Sequence, residues 1–317
     1  MSIDWNRIIL DTPSPEEAWQ EIFTAMQGVA LSGISPVTLH DATTIPDRLL
    51  AEAAWDVWEA YPAAAVKTSH CLKTWATGSV EKAVLILDAL SLRELPIIVG
   101  AAKARGIEPR RVAVTGSDCP SSTDQFAKSL GLQSRSALAH DGKPGTFALF
   151  AEGCYTDVIS LPFEDCTIPP VPRVVIWHSW LDDLIHLQNK LPDQIAAMAL
   201  STLQSDGFWK FIDRLRQGRE LVITSDHGYA VSKRFSSEVE DADAIEILRS
   251  IFGASRYKTA AEPWQKRFMP PIAMTHNNQH VVMGQRKWKV QGGFPHVCHG
   301  GMSLLEVAVP YLEFPAL

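Results

Sequence analysis

Apolar positions along this chain fall into two regimes. Over residues 15–26 and 46–61 they recur at helical spacing, and the first stretch opens on Pro15 followed by Glu16 and Glu17, as a helix N-terminus does. From Ala83 onward short apolar runs alternate with amphipathic stretches. Residues 84–88, 111–115, 173–178 and 221–225 are each short and apolar enough to be strands buried in a sheet. Between them, residues 92–104, 123–130 and 193–216 carry helical periodicity with helix punctuation at their ends. Strand alternating with helix predicts a doubly wound α/β fold with a mostly parallel sheet and helices on both faces. Two weaker strands are expected over 146–150 and 157–161, while 257–291 fits no single pattern. With no internal repeat, low-complexity tract or linker, the economical division is a helical N-terminal extension, residues 1–78, and one α/β domain, residues 79–317.

Composition narrows the class without naming a function. A chain of 317 residues that is 46% apolar can bury one large core. Its first residues lack the basic-then-apolar layout of a secretion signal, and no apolar run approaches the roughly 20 residues of a membrane helix, so a cytoplasmic protein without membrane contact is expected. Five scattered cysteines without a Cys-x-x-Cys indicate neither a disulfide framework nor a zinc ribbon. A net charge of −7 argues against a generally basic, nucleic-acid-coating surface.

The chemistry gathers where predicted strands end. Leu221-Val-Ile-Thr-Ser-Asp-His-Gly228 delivers Asp226 and His227 side by side at a turn, and Asp88 closes an earlier strand, which places it on the same edge if the two run parallel. An aspartate there can equally cap the next helix. In Trp177-His-Ser-Trp-Leu-Asp-Asp-Leu-Ile-His186, Asp182 and His186 share one face of a helical turn, with Asp183 and His178 as competitors. Near the C-terminus His299 precedes two glycines that let the backbone approach closely, with His296 and Cys298 as competitors. Asp88, Asp182, His186, Asp226, His227 and His299 are more oxygen and imidazole donors than one tetrahedral zinc needs. Two metal ions are implied. Such a pair, roughly 3.5–4 Å apart, can clamp the attacking and leaving oxygens of a phosphoryl displacement.

A nucleophile is offered by Asp118-Cys-Pro-Ser-Ser-Thr-Asp, whose hydroxyls precede a predicted helix, although Ser and Thr are also ordinary N-caps. No Gly-x-Gly-x-x-Gly, phosphate-binding Gly-x-x-x-x-Gly-Lys or Gly-x-Ser-x-Gly occurs, which argues against a dinucleotide enzyme, a P-loop NTPase and a serine hydrolase of the elbow type. Basic residues Arg256, Lys258, Lys266, Arg267, Arg286, Lys287 and Lys289, interleaved with Trp264, Phe268 and Trp288, make a stacking groove for a polyanion conceivable; a solvated face with core aromatics is the plainer alternative.

Taken in order, Asp88, Pro120-Ser-Ser-Thr123, His178 through Asp182 to His186, Thr224-Ser-Asp-His-Gly228 and His299-Gly-Gly-Met-Ser-Leu-Leu-Glu306 resemble the PglZ-domain branch of the alkaline phosphatase superfamily, over residues 84 to the C-terminus. The resemblance implies an alkaline-phosphatase-like sheet. It implies one metal among Asp88, Thr123, Asp226 and His227, and a second among Asp182, His186 and His299. Thr123 would be the nucleophile, with Ser122 one residue away, and the metals zinc, or else manganese. The implied activity is a metal-dependent phosphohydrolase, favoured as a phosphodiesterase on nucleotide or nucleic-acid phosphodiesters, within phage defence or signalling and with protein partners of a defence system. A catalytically silent scaffold of the same fold is the alternative.

Overall fold

Six strands form the central sheet of the computed structural model, which describes every residue but 1, 2, 34, 79, 80, 141–148, 151, 152, 188–190, 236, 266 and 267. They are β1 (Lys82–Leu87), β2 (Arg111–Gly116), β3 (Tyr155–Ile159), β4 (Arg173–His178), β5 (Glu220–Thr224) and β6 (Ala308–Phe314), in the spatial order β2-β6-β5-β1-β4-β3. β1 pairs parallel with β4 and β5, and β3 with β4. β6 runs antiparallel to both neighbours, β2 and β5. The sheet is therefore mostly parallel, and the one reversed strand begins at the edge where the other five end.

Alternation along β1 shows why both faces need covering. Ala83, Leu85 and Leu87 share a core with Trp19, Trp58 and the helices Leu95–Ala104 and Asp206–Arg216, whereas Val84 and Ile86 pack with Phe126, Leu72 and Trp177 on the other face. The N-terminal helices are thus part of the main core rather than an appendage: Tyr61 donates to the Ser117 carbonyl at 2.6 Å, and the Gly116 amide donates to the Val66 carbonyl at 2.8 Å. We propose residue 78 as a boundary in element type, not in packing.

Several elements depart from the pattern-based expectation. The helical stretch expected over 46–61 is two helices, Pro36–Glu52 with Pro46 inside it and Trp55–Ala64. The helix expected over 193–216 is likewise two, Pro192–Gln204 and Asp206–Arg216, because Ser205 stops the first and caps the second by accepting from the Phe208 amide at 3.1 Å. Residues 257–291 contain a three-stranded antiparallel sheet of Tyr257–Thr259, Gln279–Val282 and Ala273–His276. The expected strand over 146–150 falls largely outside the described residues, and Phe150 contributes only core.

The polyanion groove is not formed as expected. Arg256, Arg286 and Trp288 are buried; Arg256 is ion-paired with Glu306, and Arg286 donates to the Ala51 carbonyl at 3.1 Å. Lys266 and Arg267 lie outside the described residues. A charged side chain that finds an interior partner leaves the surface, and sequence alone does not show the partner.

One N-terminal side chain reaches the far end of the chain. The buried Asp47 accepts from the Leu304 amide at 2.9 Å and from Gln285 at 2.8 Å, and burial pushes its carboxyl up to about 7. A carboxyl raised in the folded state holds its proton there and loses it in the unfolded chain, so its ionisation subtracts stability as pH climbs from about 4 to about 7. Gln285 also has an unsatisfied oxygen, to which an amide at residue 47 could donate after a flip of the glutamine. Asp47→Asn is therefore expected to unfold at a higher denaturant concentration than wild type above pH 7 and to lose that advantage near pH 4, read from urea melts across pH.

Candidate metal centre

Parallel pairing of β1 with β5 sets Asp88 and Asp226 at neighbouring carboxyl ends, and the turn after β5 adds His227. The segment after β2 leads to the helix Thr123–Ser129, the helix Trp180–Ile185 follows β4, and the antiparallel β6 brings the His299 loop to the same edge. Five separate segments converge because the sheet ends there together.

The first group is buried. His227 Nδ1 lies 3.0 Å from the Gly228 carbonyl, which fixes the proton on Nδ1 and leaves the Nε2 lone pair facing inward. Around Nε2 stand Thr123 Oγ1 at 3.3 Å, Asp226 Oδ2 at 3.4 Å and Asp88 Oδ1 at 3.9 Å. Thr123 Oγ1 is also 3.4 Å from Asp88 Oδ1. Asp226 is anchored by the Ala89 amide on Oδ1 at 3.0 Å, while its buried Oδ2 accepts no hydrogen bond from the described residues. Trp177 Nε1 donates to Asp88 Oδ2 at 2.9 Å. Burial and the neighbouring carboxylates Asp226 and Asp182 hold Asp88 well above the usual carboxylate range, and burial raises Asp226 to about 6.

The second group opens toward solvent. Asp182 Oδ1 and His186 Nε2 are 3.2 Å apart, and His299 Nε2 faces His186 Nε2 at 3.3 Å. The donor atoms of these three residues lie within 4.8 Å of one another, as do those of Asp88, Asp182 and His227, so Asp182 stands between the groups. His227 and His299 stack with centroids 4.3 Å apart. Burial and the adjacent His227 keep His299 down at about 3, hence a neutral ligand-type imidazole. The Asp182 hydrogen bond raises His186, and although burial pushes Asp182 up, His186 outweighs it and holds the carboxyl below its usual value.

Three carboxylates, three imidazoles and a hydroxyl converge with imidazole lone pairs and an unsatisfied buried oxygen pointing inward. Three carboxylates crowded together are only partly offset by a single nearby guanidinium, Arg135, and these donors suit hard or borderline divalent cations. The residues present therefore fit a pair of metal ions.

Competing residues are occupied elsewhere. Asp183 accepts from Ser179 at 2.6 Å, and His178 stacks on Phe163 with Nε2 3.0 Å from the Leu161 carbonyl, its pKa lowered by burial to about 4. Cys298 is buried against the Ala230 carbonyl, and His296 is exposed. Ser121 bridges the His299 loop, donating to the Gly301 carbonyl at 2.7 Å and accepting from the Gly300 amide at 3.0 Å. Ser122 caps the Thr123–Ser129 helix. Burial pushes the Cys119 thiol up to about 12.

Two features escaped pattern reading. Arg135, from a 3-10 segment (Arg135–His140), pairs with Asp88 and lies 3.8 Å from Asp182. It lines, with Thr123, Ser134, His186, Tyr257 and His299, a cleft of about 370 Å³. The other is the support of His299. Glu306 accepts from Arg256 Nε at 2.7 Å, the Gly301 amide at 2.9 Å, the Ser303 amide at 3.1 Å and the Ser303 hydroxyl at 2.6 Å, all in the interior. A Cβ at Gly300 would lie 2.4 Å from the Tyr257 ring and one at Gly301 2.3 Å from Arg256, so this close packing requires both glycines. The Ser-x-x-Glu spacing of a capping box was the available signal.

Residues 171–314 match the family model of the BREX system PglZ alkaline phosphatase-like domain. This part of the chain is of the PglZ type. Over 159 residues the chain is 28% identical to the alkaline phosphatase-like protein BrxZ of Escherichia coli O9:H4 (strain HS), a match covering 45% of this chain and 18% of that protein. The chain thus spans under a fifth of the curated relative it matches. Among solved structures it is similar to phosphonoacetate hydrolase from Sinorhizobium meliloti 1021, at 12% identity and a TM-score of 0.41 over 75% of this chain and 90% of that one. It is similar also to murine ectonucleotide pyrophosphatase/phosphodiesterase 5, at 13% identity and a TM-score of 0.40 over 74% and 88%. Asp88 and Thr123 precede the PglZ-matched stretch.

Proposed function

We propose that the protein is a two-metal phosphohydrolase, a phosphodiesterase on nucleotide or nucleic-acid phosphodiesters that uses Thr123 as nucleophile and serves a cytoplasmic, multi-protein phage-defence system. The observation that carries this reading is the convergence on Thr123 Oγ1 of His227 Nε2 at 3.3 Å and Asp88 Oδ1 at 3.4 Å, beside the Asp182, His186 and His299 group. The defence context rests on the PglZ match, whose description names the BREX system.

In this proposal Asp88, Asp226, His227 and Thr123 would hold one ion, and Asp182, His186 and His299 the other; zinc suits the imidazoles, with manganese the alternative. Bound there, the ions would neutralise charge developing on the phosphoryl oxygens and favour the ionised threonine hydroxyl. Thr123 Oγ1 attacks phosphorus, one ester oxygen leaves as the alcohol, and a phosphothreonine ester that keeps the second ester group forms. Water then cleaves the phosphorus–Oγ1 bond, which releases the phosphomonoester and restores the Thr123 hydroxyl. His227 is held as the Nδ1–H tautomer by the Gly228 carbonyl, which keeps its inward nitrogen aprotic. Arg135 at the rim of the cleft offers a guanidinium to the phosphoryl oxygens.

Because Asp226 is raised to about 6 and Asp88 stands well above its usual value, ion binding must expel protons. Zinc titrations by calorimetry in two buffers of different ionisation enthalpy are expected to show proton release below pH 6 that declines as pH rises; release that does not vary with pH removes this ligand assignment. Substrate class is tested by turnover of bis-p-nitrophenyl phosphate against p-nitrophenyl phosphate. Faster diester turnover supports the proposal, and faster monoester turnover replaces phosphodiesterase with phosphatase.

A further inference from the structure

A second cavity, of about 210 Å³, shares no lining residue with the metal cleft. At about 30 Å³ per water it has room for roughly seven waters or a molecule of that size. Arg93, five residues beyond Asp88, and Tyr229, two beyond His227, form its floor with His40 from the helix Pro36–Glu52.

Arg93 is 4% exposed, yet no carboxylate lies within 4 Å of its nitrogens among the described residues. Its guanidinium rests over the Tyr229 ring at 4.7 Å and donates to the Tyr229 carbonyl at 2.6 Å and to His40 Nδ1 at 3.4 Å. Two of the five donors of an arginine are thereby used. Glu94 acts on Arg93 electrostatically without pairing with it within 4 Å, and both its oxygens are engaged, by the Tyr229 hydroxyl at 2.8 Å and the Ser91 amide at 2.9 Å. His40 contributes no charge, because burial, with Arg93 beside it, holds its pKa down at about 4 and its Nε2 faces the Arg234 carbonyl at 3.0 Å. At the exposed rim Arg234 is paired with Asp41 at 2.9 Å, and Asp193 adds a solvated negative charge. Solvent screens these rim charges, whereas the floor charge acts at low dielectric. Val231 and Ala196 make the walls apolar. A buried guanidinium with no carboxylate in contact is costly, and a bidentate oxyanion is what its planar fork accepts.

We infer that this cavity is a second binding site, distinct from the metal cleft, for a compact organic anion whose carboxylate or phosphate pairs with Arg93 while a small apolar body lies against Val231 and Ala196. Occupancy would bear on the loops that carry Asp88 and His227, since Arg93 and Tyr229 continue those same loops.

The test is calorimetric titration of the metal-free protein with isobutyrate and, separately, with inorganic phosphate. Wild type should bind, Arg93→Met should lose at least about tenfold in affinity, or ~1.4 kcal/mol, and Arg135→Ala should retain binding. Ala196→Phe, which fills the cavity without touching the Arg93 hydrogen bonds, should also lose it, so the inference stands or falls even if Arg93→Met does not fold. Isobutyrate binding with phosphate ignored assigns the site to carboxylates, and the reverse to phosphates. Absence of binding by both probes to wild type, unchanged affinity in Ala196→Phe, or loss in Arg135→Ala in place of Arg93→Met overturns it.

Discussion

Thr123→Ala is expected to lower diester turnover by about a thousandfold or more, because the proposed attack uses the hydroxyl that lies within 3.4 Å of both Asp88 Oδ1 and His227 Nε2. Ser121 and Ser122 are the nearest chemical substitutes, but the first is tied into the Gly300–Gly301 backbone and the second into the helix cap. Neither can turn toward His227 without giving up those bonds. The variant should keep its fold, since Thr123 is half-buried and its hydroxyl contacts only site residues. Zinc affinity should fall less than in Asp226→Asn, which weakens the charge of an anchored, fully buried donor. Residual turnover comparable to wild type in Thr123→Ala, with turnover lost only in Ser122→Ala, would move the nucleophile by one residue.

The second large effect falls on stability. Arg256→Met leaves the Glu306 carboxylate without its guanidinium and takes a donor from the Arg286 carbonyl at 2.7 Å and from the Gly284 carbonyl at 2.6 Å, the latter keeping the Arg286 amide. Breaking one partner of a fully buried pair costs about 3–5 kcal/mol, several times the worth of a surface ion pair. Chemical denaturation should show that loss, and metal binding should weaken with it because Glu306 also holds the Gly301 and Ser303 amides behind His299. A loss under about 1 kcal/mol would mean that the pair does not organise this loop.

These two sites differ in how far they could be seen in the sequence. Asp88, Asp226 and His227 follow compact apolar runs, and in a parallel sheet the ends of such runs meet, so adjacency in space followed from pattern. Asp182 and His186 were visible through helical spacing. His299 required more, because its place depends on β6 running antiparallel between β2 and β5, a long-range pairing that no local periodicity encodes. Arg135 had no signal: it reaches Asp88 from a 3-10 segment outside the strand–helix alternation. Arg256 and Trp288 were misleading in the other direction, since a basic–aromatic cluster looks like a surface until its buried partners are known. The helical stretch expected over 46–61 begins at Pro46, which lies instead within a helix, Pro36–Glu52, whose inner face joins the main core at Leu39 and Leu50.

The most direct test is diester turnover by chelator-treated protein before and after zinc or manganese is restored, in wild type and Thr123→Ala. Turnover is expected to be absent without metal, to recover in wild type on adding one of the two ions, and to stay absent in the variant. Protein that binds metal yet stays inactive toward both esters, or a Thr123→Ala variant that recovers as fully as wild type, would contradict the proposed function.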